Sequence, residues 1–199
     1  MPKNVNRSNT YVVAMTGLML AVTAIMSFVP FLGTIILPVV SLTLAFIPAI
    51  ITVMTVGFLP GLVVATAAGI FSLIRAFYVF TWLSPFLQNP LISVLPRAAI
   101  AVAVFLTFKA LIKTKLPKTA SVAISAAIGS ITNTAGVLGM LWILRGADIY
   151  EVAAYRGHAS VWLFFMSIVT TNAALEVAGN TIIVTAIVMT LFKAKLVKL

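Results

Sequence analysis

Glu176 is the only acidic residue within a long apolar segment, and Asn172 and Asn180 stand four residues before and after it. On a helix, members of such a series are rotated by only about 40° from one to the next, so all three share one face. A charged side chain at the centre of a bilayer costs about 2.5–3.5 kcal/mol. The series therefore predicts either hydrogen bonds that lock a bundle or a polar stripe that lines a ligand cavity. We favour the cavity, because three costly groups converge.

A second polar cluster is the run GSITNTAG at 129–136. Its small residues allow another helix backbone to approach closely, and the Asn133 amide offers both a donor and an acceptor. Such runs are also common packing devices in membranes. We expect Asn133 at a depth similar to that of Glu176, which favours a shared site.

Arg97 follows Pro96, a residue suited to the first turn of a helix. At the positive end of the helix dipole, an arginine would bind an anion; the alternative is an arginine that extends to the outer headgroups. Arg75 is a similar candidate, and Asn89 in the preceding connector could help to close a pocket. Three tryptophans could do the same or form an interfacial belt: Trp82, Trp142 and Trp162.

Catalytic and metal chemistry has few suitable residues in this chain. There is no cysteine, one histidine (His158) and three acidic residues in all. We therefore expect no metal site, no cofactor and no catalytic residue. A small membrane enzyme such as a lipid-headgroup transferase remains an alternative, but Asp148 and Glu151 are the only carboxylates together, in one expected outer loop.

The composition is that of a multi-pass membrane protein, with 62% hydrophobic and 8% charged residues. The net charge of +10 does not indicate nucleic-acid binding, because the basic residues lie mostly between apolar segments. We predict an all-α integral membrane fold, a six-transmembrane-helix bundle forming one domain over residues 1–199. Its expected spans are 11–28, 42–59, 61–80, 96–112, 119–144 and 160–192.

The last span is too long for a straight crossing, so it should tilt, break or extend beyond the membrane. Residues 59–61 (Leu-Pro-Gly) are expected to form a tight turn. Two apolar connectors, 29–41 and 81–95, each contain two prolines and are expected to fold back as outer caps, since irregular backbone at a membrane must be covered.

Most basic residues fall on one side of a six-span topology. That side should be cytoplasmic, with both termini on it. The nine residues concerned are Lys3, Arg7, Lys109, Lys113, Lys115, Lys118, Lys193, Lys195 and Lys198.

The first span carries a row of small residues at a 3-4-3 spacing, which permits close contact with another helix. That helix could belong to a partner or to this chain. The row consists of Ala14, Gly17, Ala21 and Ala24.

Together these features resemble the substrate-binding S components of energy-coupling factor (ECF) vitamin transporters, over nearly the whole chain. The specific parts are residues 89–97 (NPLISVLPR), the run at 129–134 and the face of Asn172, Glu176 and Asn180; they look most like the pantothenate type. The resemblance implies vitamin capture at the outer surface. It also implies docking through the small-residue row onto a transmembrane coupling protein driven by two cytoplasmic ATPases.

For a pantothenate ligand, Arg97 would bind the carboxylate, and the carboxylate and amides of the later spans would bind hydroxyl and amide groups. Pyridoxine, riboflavin, folate and cobalamin remain alternative ligands, and a structural or channel-like bundle remains an alternative class. The chain itself has no G-x-x-x-x-G-K-[ST] phosphate loop, so energy for uptake would come from a partner.

Overall fold

The computed structural model describes residues 9–29, 32–36, 41–79, 81, 83–158 and 160–194. Almost all of this part is helical. Helix α1 spans Asn9–Phe28, and a two-stranded antiparallel hairpin follows, with β1 at Thr34–Ile36 paired to β2 at Ser41–Thr43. The remaining elements are α2 (Ile47–Thr55), α3 (Phe58–Arg75), α4 (Ser84–Leu87), α5 (Pro90–Ser93), α6 (Leu95–Leu111), α7 (Lys118–Tyr155), α8 (Val161–Ile168), a π-helical segment (Val169–Ala173) and α9 (Ala174–Lys193).

Five helical stretches of the described residues are long and apolar enough to cross a membrane, in agreement with a multi-pass helical bundle. The expected count of six is not reached, and the expected span at 42–59 differs from the structure. Its first residues lie in β2, and α2 has nine residues, about 14 Å at 1.5 Å each. All nine are buried, so α2 is covered by protein and has no need to match the bilayer thickness.

The break after α2 comes earlier than the sequence predicts. The chain reverses at Gly57, whose φ of 137° and ψ of 179° are accessible to glycine and strained for other residues. The expected turn at 59–61 instead forms the first helical turn of α3, where Pro60 is tolerated because that turn's N–H groups have no intrahelical acceptor.

Side-chain contacts show which ends of the helices lie together. Phe28 at the end of α1 stacks with Tyr78 just after α3, so these two helices point the same way. Phe58 at the start of α3 contacts Phe105 near the end of α6. Thr119 at the start of α7 likewise reaches Met189 near the end of α9. One end of the bundle therefore carries Lys109, Lys113, Lys115, Lys118 and Lys193, and is here called the basic end.

The two connectors expected to act as caps lie at the opposite end. The first contains the hairpin, although residues 30, 31 and 37–40 are outside the described part. The second contains the short helices α4 and α5.

Helix α7 is longer than its expected span. It continues to Tyr155 through a kink at Arg145, where φ is −141° and ψ is 31°. Asp148 and Glu151, expected in a loop, are therefore on helical turns, and Asp148 accepts a hydrogen bond from Arg145 at 3.0 Å. The loop prediction is wrong here because Ile149 and Ala153 are buried in an apolar cluster that holds these turns against the bundle.

The long last span remains one helical rod interrupted by the π-helical segment at 169–173. A π turn inserts one extra residue into the helical repeat, so it shifts the faces of the segments before and after it relative to each other.

Candidate functional site

Four of the predicted site residues lie in a buried polar layer between three helices. Arg97 comes from the start of α6, Asn133 from the middle of α7, and Glu176 and Asn180 from the first two turns of α9. Their exposed fractions are 8%, 6%, 7% and 0%, respectively. The structure therefore brings together residues that are up to 83 positions apart in the sequence.

Two apolar clusters enclose this polar layer. Towards the basic end lies the main core, and towards the outer end lies a second cluster around Phe164 and Leu141. The layering follows the order along the chain. Ile92 of α5 belongs to the outer cluster and Ile100 of α6 to the main core, with Arg97 between them. On α7, Val137 and Ala126 are placed in the same way on either side of Asn133. Burial between apolar layers strengthens every electrostatic interaction within the layer.

Arg97 and Glu176 form the charged centre of the layer. Their opposite charges attract each other, and α7 packs against both α6 and α9 between them. One guanidinium nitrogen of Arg97 also donates to the backbone oxygen of Ile92, at 3.1 Å. An arginine has five N–H donors, so this contact leaves others for a further partner. Arg97 is buried rather than extended to the headgroups, and that alternative is wrong.

The Asn133 side chain lies close to the Glu176 carboxylate and favours its charged form. Asn180 donates from Nδ2 to the backbone oxygen of Thr43 in β2, at 3.3 Å. The first contact ties α7 to α9, and the second ties α9 to the hairpin. The contact with Thr43 could not be predicted from the sequence, because every residue has a backbone oxygen.

Several buried polar atoms have no hydrogen-bond partner within the described part of the chain. Three belong to the predicted site residues: Asn133 Oδ1, Glu176 Oε1 and Asn180 Oδ1. The hydroxyls of Ser130, Thr181 and Thr185 are in the same state. Ser27 Oγ on α1 is also unpaired within the described residues. Buried polar atoms are paired in the great majority of native structures, so the six unpaired atoms on α7 and α9 make this part of the bundle a candidate site.

The remaining predicted site residues are placed differently. Asn89 is only partly buried, and its Oδ1 accepts the Leu91 N–H at 3.0 Å as the cap of α5. The side chain of Asn172 lies outside the described residues, and its backbone is in the π-helical segment. The face shared by Asn172, Glu176 and Asn180 was predicted for a regular α-helix, so only its Glu176–Asn180 part is confirmed.

Trp142, Trp162 and Arg75 are placed as follows. Trp142 and Trp162 are exposed, as residues of an interfacial belt are, and Trp82 is outside the described residues. Arg75 ends α3 with its side chain partly buried.

Among the described residues, no group of three His, Cys, Asp or Glu side chains is close enough to hold a metal ion.

The predicted docking row lies on the outward face of α1. Ala14, Gly17 and Ala21 are exposed and Ala24 is partly buried. A Cβ added to Gly17 would meet nothing within 4 Å. The face that packs inside the bundle carries Thr23 and Ser27 instead, so the exposed part of this row faces away from the described part of the bundle.

Comparison with known proteins gives one family match. The model of the family described as ECF transporter, substrate-specific component, matches residues 12–188. A search of curated proteins gave no match. The family match covers all five membrane-length helices in whole or in large part, and it includes the four residues of the polar layer. The chain therefore belongs to the substrate-specific component family of ECF transporters, and is a substrate-binding membrane subunit rather than an enzyme.

Proposed function

We propose that this chain is the high-affinity pantothenate-binding subunit of an ECF-type importer. The observation that supports the proposal is the polar layer: an arginine, a carboxylate and two amides, buried together near the outer end, with acceptor atoms still unpaired. Pantothenate offers complementary groups, namely a carboxylate, an amide and two hydroxyls. Pyridoxine, riboflavin, folate and cobalamin are the competing ligands.

In this proposal, Arg97 binds the ligand carboxylate with the N–H donors that do not contact the Ile92 oxygen. The Arg97 charge also acts on Glu176. Asn133, Glu176 and Asn180 bind hydroxyl and amide groups, with Asn172 as a further contact. Asn89 acts at the edge of the site by capping α5, the short helix whose Ile92 oxygen receives the Arg97 guanidinium. A charge-assisted contact within a dry site is stronger than a neutral one.

The partners in this proposal are a transmembrane coupling protein and two cytoplasmic ATPases, which supply the energy. The coupling protein docks on α1 through Ala14, Gly17, Ala21 and Ala24. Both termini are cytoplasmic, because the basic end carries Lys109, the lysines before α7 and Lys193. Lys3, Arg7, Lys195 and Lys198 belong to the same count but lie outside the described residues.

The test is a binding titration of radiolabelled pantothenate on the purified chain in detergent. We expect saturable, stoichiometric binding, weakened by about 100-fold in Arg97→Ala, because the carboxylate loses a charge-assisted partner. Arg145→Ala is the control, since Arg145 pairs with Asp148 on the surface.

A ligand-side measurement covers the case in which Arg97→Ala does not fold. The alcohol analogue of pantothenate, which lacks the carboxylate, should bind the unmodified chain as weakly as pantothenate binds the variant. If the alcohol binds as well as the acid, the role of Arg97 is wrong; if no pantothenate binds, the ligand assignment is wrong.

A further inference from the structure

Whether the unpaired atoms of the polar layer accept or donate hydrogen bonds depends on their neighbours, and the residue types alone do not reveal it. Asn180 Nδ2 faces a backbone carbonyl, which can only accept a hydrogen bond, so its Oδ1 must be the unpaired atom. Asn133 Oδ1 is also unpaired, and the Asn133 side chain lies beside the Glu176 carboxylate. The backbone partner of Asn180 fixes the orientation of its amide.

Glu176 Oε1 is the third unpaired atom. In its ionised form, which the charge of Arg97 favours, the carboxylate has acceptor sites only, so the three unpaired oxygens of these residues can then only accept. The unpaired hydroxyls of Ser130, Thr181 and Thr185 can rotate to donate or accept, so they add no preference. The preference of the layer is therefore set by three oxygens that cannot donate.

These oxygens belong to two facing helices. Glu176 and Asn180 are four residues apart on α9, a rise of about 6 Å. Asn133 lies beside Glu176 on α7. Two donors near these oxygens are directed to backbone carbonyls: Asn180 Nδ2 donates to Thr43, and one Arg97 nitrogen donates to Ile92.

We infer that the α7–α9 side of the site is a donor-selecting subsite, in which Asn133 Oδ1, Glu176 Oε1 and Asn180 Oδ1 accept hydrogen bonds from O–H or N–H groups of the ligand. The inference rests on the proposed substrate-binding function and specifies the ligand class: a small molecule with at least two such donors about one helical turn apart. Ethers, ketones and esters of the same shape are rejected, because they leave buried acceptors opposed to other acceptors.

The experiment compares ligands that differ only in a donor. Pantothenate competes with its hydroxyl-methylated derivatives for binding to the purified chain, and pyridoxine is compared with its own methylated derivatives. We expect each blocked hydroxyl that reaches the subsite to weaken binding by about 10- to 100-fold. The alcohol analogue is changed only at the carboxylate. Methylation of its other hydroxyls should therefore weaken its binding by the same factor as for pantothenate.

A variant cycle assigns the penalty to an atom. Asn133→Leu removes one acceptor. For the ligand hydroxyl that contacts Asn133, the methylated and unmethylated ligands should then bind to this variant within about threefold of each other. Ser125→Ala is the matched control on the same helix, since Ser125 is buried but bonded within α7 to the Ser121 oxygen. It should retain the full penalty.

The outcomes separate the inference from the pantothenate assignment. Pantothenate binding that ignores methylation overturns the donor-selecting subsite and leaves the assignment intact. Pyridoxine binding that is weakened by methylation, without any pantothenate binding, supports the subsite and overturns the assignment. A penalty that survives in Asn133→Leu overturns the role of Asn133, and failure of every probe to bind overturns both.

Discussion

At the scale of single residues, the described part of the bundle buries two opposite charges, Arg97 and Glu176. Each stabilises the charge of the other, and Arg97 also donates a hydrogen bond to the Ile92 oxygen. A buried charge is strongly destabilising when the opposite charge near it is removed. Removing one charge is therefore expected to do more damage than removing both.

The first prediction concerns this pair. Glu176→Gln should destabilise the ligand-free chain by about 3 kcal/mol, because Arg97 is left as an uncompensated buried charge. Arg97→Met combined with Glu176→Gln should recover at least about half of that loss. Unfolding in detergent, followed by temperature or denaturant, measures all three variants.

Equal losses in the single and double variants would contradict this account of the pair. Glu151→Gln is a control for a change of charge alone, because Glu151 is exposed on the outer turns of α7; its unfolding free energy should change by less than about 0.5 kcal/mol.

The sequence could predict the residues of the site but not their hydrogen bonds. Glu176, Asn180, Asn133 and Arg97 are detectable because polar groups in apolar segments are costly. Their pairing depends on how α6, α7 and α9 pack, which is a property of contacts between distant segments. The capping role of Asn89 depends on a four-residue helix, which periodicity cannot reveal.

At the scale of elements, α6, α7 and α2 approach one another where a glycine removes a side chain. A Cβ on Gly129 would lie 2.7 Å from a methyl of Val104 and 2.9 Å from the terminal methyl of Ile50. On the same helix, a Cβ on Gly139 would meet nothing within 4 Å. The two glycines therefore differ in packing while sharing one helix.

The second prediction uses that difference. Gly129→Ala should lower the unfolding free energy by about 1–3 kcal/mol through overpacking against Val104 and Ile50. Gly139→Ala should be neutral or stabilise by up to about 1 kcal/mol, because alanine favours the helix and enters open space. Thermal unfolding of the two variants gives opposite signs; a similar shift in both would show that α7 is not packed closely at Gly129.

A third prediction concerns the reversal between α2 and α3. Gly57→Ala should destabilise the chain by about 1–3 kcal/mol, because φ of 137° is strained for alanine, although no atom would lie within 4 Å of its Cβ. Gly146→Ala is the control, since its Cβ would also meet nothing within 4 Å and its φ is not positive. Unfolding in detergent should affect the first variant only.

Hydropathy predicted most of the long helices because burial in lipid needs only length and apolar composition. Hydropathy also predicted a membrane span at α2, although α2 is buried by protein and is half as long as a span. The kink at Arg145 was not predicted, and an interruption of the last span was only one of three alternatives, because apolar composition continues through both. Such breaks depend on backbone geometry and on contacts with other elements.

At the scale of the whole molecule, the polar layer and the proposed docking face are on different parts of the bundle. The layer is formed by α6, α7 and α9 and touches the hairpin through Thr43. The exposed residues of the docking row are on α1, which packs on α3 and α2 by its other side. Ligand binding and coupling should therefore be separable by mutation.

The last prediction tests that separation. Gly17→Trp should leave ligand binding by the purified chain within about twofold of normal, because its side chain points away from the bundle into open space. It should reduce co-purification of the transmembrane coupling protein by at least about tenfold, since a bulky group prevents close approach of two helices through small residues. Ile182→Trp, on an equally exposed face of α9 (70% exposed), should retain both properties. Loss of ligand binding in Gly17→Trp would show that α1 is linked to the polar layer, and normal co-purification would place the docking surface on another helix.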